Sequence, residues 1–107
     1  MLFLLNDVDR NMIHNIITEI ESEYHIQFTK DSSKLLSFYL ELMMERNQRG
    51  FYINKHIPSF GDEYHFAQDI LRYICQYSVI KPNEKEINAL GYIIKNMLHY
   101  TLLVSND

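Results

Sequence analysis

The segment SSKLLSFYLELMMERNQRG, Ser32 to Gly50, decides the fold class. Leu35, Leu36, Tyr39, Leu42, Met43 and Arg46 recur at spacings of three and four, so a helix sets them on one face. Phe38 and Leu40 widen the apolar arc beyond what a helix with one solvent face requires, which predicts a helix surrounded by the rest of the chain. Asp31 or Ser32 supplies a short side-chain oxygen to cap its start. Gly50 supplies the residue that can turn left-handed at its end. The closing run Glu45-Arg46-Asn47-Gln48-Arg49 is polar, and recognition chemistry is expected there.

Working outward, the same period recurs. Val8, Met12, Ile13, Ile16, Ile17, Ile20 and Tyr24 form a first stripe, capped by Asn6 or Asp7. His25 to Thr29 reads as a short extended connection. Phe51 to Ser59 is a loop, and its Phe51, Tyr52, Ile53 and Ile57 are apolar enough to lie on the domain. A third helix runs from about Gly61 to Tyr77, its start resembling a capping box in Ser59-Phe60-Gly61-Asp62. Tyr64, Ala67, Ile70, Leu71, Ile74 and Ser78 make its buried face, and His65, Asp69, Arg72 and Gln76 the opposite one. Lys81-Pro82-Asn83 breaks the chain. Asn83 then caps a fourth helix carrying Ile87, Leu90, Ile94, Met97, Leu98 and Thr101, with Glu84 and Glu86 suited to its positive end. The expected fold is all-α, a compact bundle of four to five helices with no open sheet edge. At 107 residues the chain is one domain, residues 1–107.

Composition narrows the function. Net charge is −4, which disfavours direct nucleic-acid binding. Arg46, Arg49 and Lys55 lie near Phe51 and Tyr52, but read as a solvated helix end. One cysteine excludes an internal disulfide and fits a cytoplasmic protein. Cys75 reads as a small packed hydrophobe beside the buried face of its helix. Met1 to Leu5 is too short for a targeting segment, and no run approaches the ~20 apolar residues of a membrane span.

Catalytic and metal motifs are missing. None of the glutamates has a histidine three residues on, so the paired Glu-x-x-His signature of di-iron bundles is not met. His56, Asp62 and His65 are the best available metal grouping, but their spacing does not demand a metal. No nucleophile elbow or phosphate-cradling glycine loop occurs. The expectation is a protein without cofactor, and not an enzyme. His65, in the first turn of its helix, is placed where a phosphoryl group would gain from free N–H groups.

Three segments together resemble the PTS regulation domain (PRD) of bacterial antiterminators and sugar-operon activators. In that family the second long helix reads His-Leu, five residues, Arg, then basic residues and Gly; here Tyr39-Leu40 is followed by Arg46, Arg49 and Gly50. The family's next helix begins with a Tyr-Pro-x-x-Tyr-x-x-Ala-like run and then Ile; here it is Phe60-Gly61-Asp62-Glu63-Tyr64-His65-Phe66-Ala67, with Ile70 after it. Its last helix opens with Glu-Ile and then an apolar run ending in His; here Glu86-Ile87 opens it, with Leu90 in register. The likeness spans roughly residues 6–100. It implies an all-helical regulatory module that dimerises or docks on a partner, a phosphotransferase-system protein or a transcription regulator, in control of carbohydrate uptake genes.

The departures are specific. Tyr39 stands where the family has its first phospho-accepting histidine, and the second aligns near Ile93. Phosphorylation at the usual positions is therefore excluded, and only Arg46 carries over from that site. Signalling is either lost or moved, with His65 and His56 as candidates. The chain has room for one such domain and none for a nucleic-acid-binding partner domain. It reads as a stand-alone PRD-like protein, the alternative being a piece of a longer regulator. Two further readings stay open: a phosphoryl-accepting protein using His65, and a small-ligand binder in a pocket between Arg46, His56 and His65.

Overall fold

A computed structural model describes residues 7–50, 61–78 and 83–103, with side chains from Arg10 onward. The expectations for Met1–Leu5, Val8, the Phe51–Ser59 loop with Lys55 and His56, Ser59 as part of a capping box, Lys81-Pro82 and the last residues lie outside these. The fold is all-α, with four helices among the described residues: α1 (Asp7–Tyr24), α2 (Lys30–Gln48), α3 (Asp62–Tyr77) and α4 (Glu84–Met97). Ile13, Ile16, Ile17 and Ile20 of α1 are buried, as their spacing predicts. Their β-branched side chains are mediocre helix formers, so packing rather than propensity holds this helix.

Two short strands depart from the expected pure bundle. β1 (Ile26–Phe28) and β2 (Tyr100–Leu102) pair antiparallel, with Ile26 opposite Leu102 and Phe28 opposite Tyr100. The fourth helix therefore stops at Met97 instead of reaching Thr101. Its last apolar residues are spent on a strand because β1 offers a partner. Ile26 and Phe28 point inward and Gln27 outward, the alternation of a half-buried strand. His25 makes the turn from α1 into β1 with φ 55°, a conformation that His tolerates better than most residues. The Glu21 carboxylate accepts from the Phe28 N–H at 2.9 Å, tying β1 to α1.

The pairing also moves the cap of α2. Thr29 donates its N–H to the His99 carbonyl at 3.0 Å and stays extended, and its hydroxyl accepts from the Ser32 N–H. Thr29, not Asp31 or Ser32, is thus the N-cap. The Ser32 hydroxyl is buried and accepts from the His99 N–H at 2.7 Å. Gly50 turns left-handed after α2, with φ 80°, as expected. Asn83 caps α4 by accepting from the Glu86 N–H. Gly61 occupies the cap of α3 with no side chain to offer.

The central element is α3 rather than α2. It packs against both α4 and α1, burying Phe66, Ala67, Ile70, Leu71 and Ile74. α2 is not surrounded. Its buried side is Leu36, Leu40, Met43, Met44 and Asn47, rotated from the face that the sequence suggested. Leu35, Phe38 and Leu42 face solvent, at 37%, 57% and 44% exposure. Met97 is likewise exposed, and so is Cys75, which is not a core residue. Aromatic edges close the lower core: Tyr24 on Phe66 at 4.4 Å, and Tyr100 on Phe28 and Phe66 at 5.8 and 5.7 Å.

This rotation has a measurable consequence. Leu40→Ala should cost about 2–5 kcal/mol in urea unfolding, because Leu40 is fully buried. Leu42→Ala, one face away, should cost less than about 1 kcal/mol.

Candidate functional site

Arg46 ends the row of α2 positions that begins at Tyr39, and Glu86 sits in the first turn of α4. Two guanidinium N–H groups of Arg46 reach the Glu86 carboxylate side by side, Nη1 to Oε1 at 2.9 Å and Nη2 to Oε2 at 3.2 Å. This is the forked geometry that makes arginine–carboxylate pairs directional. The Glu86 side chain is wholly buried, whereas that of Arg46 is about one-third exposed (32%). Glu86 is the third residue after the Asn83 cap, so the helix dipole also favours its charge there. Glu86 keeps register with Leu90 and Ile94 at i+4 and i+8, and that row is buried. The carboxylate is consequently carried into the core by its own helix, and Arg46 is the cation that meets it.

Tyr39 lies beside this pair. Its hydroxyl is buried and makes no hydrogen bond of good geometry among the described residues. Burial and the Glu86 charge push its pKa up to about 12, against the opposing pull of Arg46. The hydrogen-bonded Glu86 holds the Arg46 guanidinium above its already high range. Next in sequence to Arg46, Asn47 donates Nδ2–H to the Met43 carbonyl at 2.7 Å, while its buried Oδ1 accepts nothing among the described residues.

The other sequence-nominated residues lie apart. His65 is exposed in the first turn of α3, its ring edge-on to Tyr64 at 5.9 Å. Its backbone carbonyl accepts from the Tyr24 hydroxyl at 3.4 Å. That hydroxyl also bonds the Asp69 carboxylate, and burial together with this contact raises the Tyr24 pKa. Asp69 is further paired with Arg72 at 3.2 Å, and Tyr73 donates to Glu23 at 3.1 Å, so a polar seam joins α1 to α3. Arg49 pairs with Glu45 at 3.1 Å, and with Arg46 engaged by Glu86 these two cations of the nominated basic group are held within the fold. His56 lies outside the described residues. Two surface hollows of about 490 and 430 Å³ are lined by neither Arg46 nor His65. Among the described residues no three His, Cys, Asp or Glu side chains are grouped to hold a metal, and no helix is long and apolar enough to cross a membrane.

Sequence reasoning found Arg46 and Tyr39 but gave Glu86 only a helix-terminus role and a place in the family resemblance, with no pairing to Arg46. The signal was present: Glu86 precedes Leu90 and Ile94 on a buried row, and a buried carboxylate demands a cation.

With this geometry in hand, comparison with known proteins adds no relative: no family model matches the chain, and no curated protein or solved structure matches it.

The raised Tyr39 pKa fixes a sign. The folded state holds the phenol protonated above its ordinary value of 10.0, so this contribution is complete below pH 10. It is lost as pH rises from about 10 to about 12, where only the unfolded chain has ionised. Urea midpoints measured from pH 8 to 12 should fall less steeply above pH 10 for Tyr39→Phe than for the parent chain.

Proposed function

We propose that the chain is a regulatory interaction module, PRD-like, that acts by dimerising or docking on a protein partner in the control of carbohydrate phosphotransferase-linked transcription. It works as a binding surface and not as a catalyst, without a cofactor. The observation that carries this reading is the meeting of Arg46 and Glu86. Two segments that resemble the family, Tyr39-Leu40 to Arg46 and Glu86-Ile87, lie far apart in sequence yet join in one part-buried polar contact. The solvent-facing Leu35, Phe38 and Leu42 supply an apolar surface for a partner. The same reading makes the chain cytoplasmic, with a phosphotransferase-system protein or a transcription regulator as the partner and no direct contact to nucleic acid.

Tyr39, standing at the family's phospho-acceptor position, cannot take a phosphoryl group from a histidine-directed relay. Output is then set by partner concentration instead of by phosphorylation at that point.

A second reading, phosphoryl transfer to His65, draws on the exposure of His65 at the start of α3. Asp62 and Glu63 share that turn and already supply negative charge at the helix start, so a phosphate there meets repulsion. This weighs toward the first reading. A small-ligand site at Arg46 is weaker again, because both terminal guanidinium nitrogens are engaged by Glu86.

Deleting the gene should change transcript levels of a sugar-transport operon several-fold. Incubation of the purified chain with the general phosphocarrier proteins and phosphoenolpyruvate should leave it unphosphorylated by mass spectrometry. Unchanged transcripts on every sugar tested would contradict the regulatory role. A phosphohistidine abolished by His65→Ala would favour the second reading.

A further inference from the structure

We infer that the outer face of α2 pairs antiparallel with the same face of a second copy of this chain. The inference rests on the interaction-module reading and names its partner.

The apolar part is a row at spacings of three and four. Leu35, Phe38 and Leu42 run along the solvent side of α2, opposite the buried Leu36, Leu40 and Met43. Such a row is the kind of surface that helix-to-helix docking covers.

Charge selects the occupant and its direction. Lys34 and Glu41 lie two helical turns apart on one flank of the row, and Lys30 and Glu45 extend that flank at either end. Lysines stand on the N-terminal side of Phe38 and glutamates on the C-terminal side. A two-fold axis at the level of Phe38 keeps each flank against its own copy and reverses its direction. Lys34 then meets Glu41 of the second copy, Leu35 meets Leu42, and Phe38 meets Phe38, while Lys30 comes opposite Glu45, whose carboxylate already pairs with Arg49 of its own helix at 3.1 Å. Each contact occurs twice, as an isologous interface requires. Parallel pairing would instead set the charged flank against the Leu35–Leu42 edge, leaving the charges without partners. The pattern is thus complementary to itself in one orientation only.

Lys30 and Lys34 are exposed and take no carboxylate among the described residues. The Arg10–Glu41 contact is 3.7 Å long and half-exposed on the arginine side, so Glu41 can turn to a second cation at little cost. Three apolar side chains per copy make a patch at the small end of stable interfaces, so dimerisation is concentration-dependent.

Sedimentation equilibrium of the full chain up to roughly 1 mM, a range that reads even weak pairing, tests this. The parent should dimerise. Phe38→Glu should weaken dimerisation at least about tenfold, and Lys34→Glu and Glu41→Lys each by several-fold. The double variant Lys34→Glu/Glu41→Lys should restore the parent constant, since the swap rebuilds both pairs. These side chains are largely solvent-facing, and unchanged thermal unfolding would confirm that the variants fold. A chain that stays monomeric, a dimer indifferent to Phe38→Glu, or a double variant no better than its singles would each overturn the pairing. Any of these would leave docking on a different protein standing, since the operon measurement tests that separately.

Discussion

One buried carboxylate constrains the rest of the molecule. Glu86 enters the core on the same row of α4 as Leu90 and Ile94, where an unpaired charge would cost several kcal/mol. Its neutralisation depends on Arg46, at the far end of a different helix. The forked contact fixes the last turn of α2 against the first turn of α4. Around α2, Leu36, Leu40 and Met43 face the core, and Arg46 reaches Glu86 from the edge of that side. With that side inward, Leu35, Phe38 and Leu42 have nowhere to go but outward.

The two sides of α2 thereby take different tasks. The inner side is structural, apolar except where Arg46 and Asn47 handle polar atoms. The outer side is an exposed apolar row, Leu35, Phe38 and Leu42, with a charged flank. The β1–β2 pair holds the other end of α2, through Thr29 and Ser32 to His99. A helix pinned at both ends presents a rigid face, and a rigid face loses little entropy when it is covered.

The helices were legible because their apolar periods are strong, and α1 shows this best, with four isoleucines at their expected places. The rotation of α2 was not legible. Leu35, Leu36, Phe38, Tyr39, Leu40, Leu42 and Met43 surround the helix so fully that period alone cannot choose a side. The strands were hidden for a related reason. Three-residue segments carry too little pattern to announce themselves, and Tyr100 to Leu102 continues an apolar row that a helix could equally have used. Of the site, Arg46 and Tyr39 were found through the family likeness. The partner carboxylate needed the geometry, and Cys75 was misplaced because its neighbour Ile74 takes the buried position.

A double-mutant cycle in urea between Arg46→Met and Glu86→Leu tests the central constraint most directly. The account predicts that Arg46→Met alone destabilises by about 3–5 kcal/mol, by stranding the buried carboxylate. Removing both charges should recover most of that loss, giving a coupling of about 2–3 kcal/mol. Effects that simply add, within about 0.5 kcal/mol, would show that the two helices are held by other means and would contradict the account.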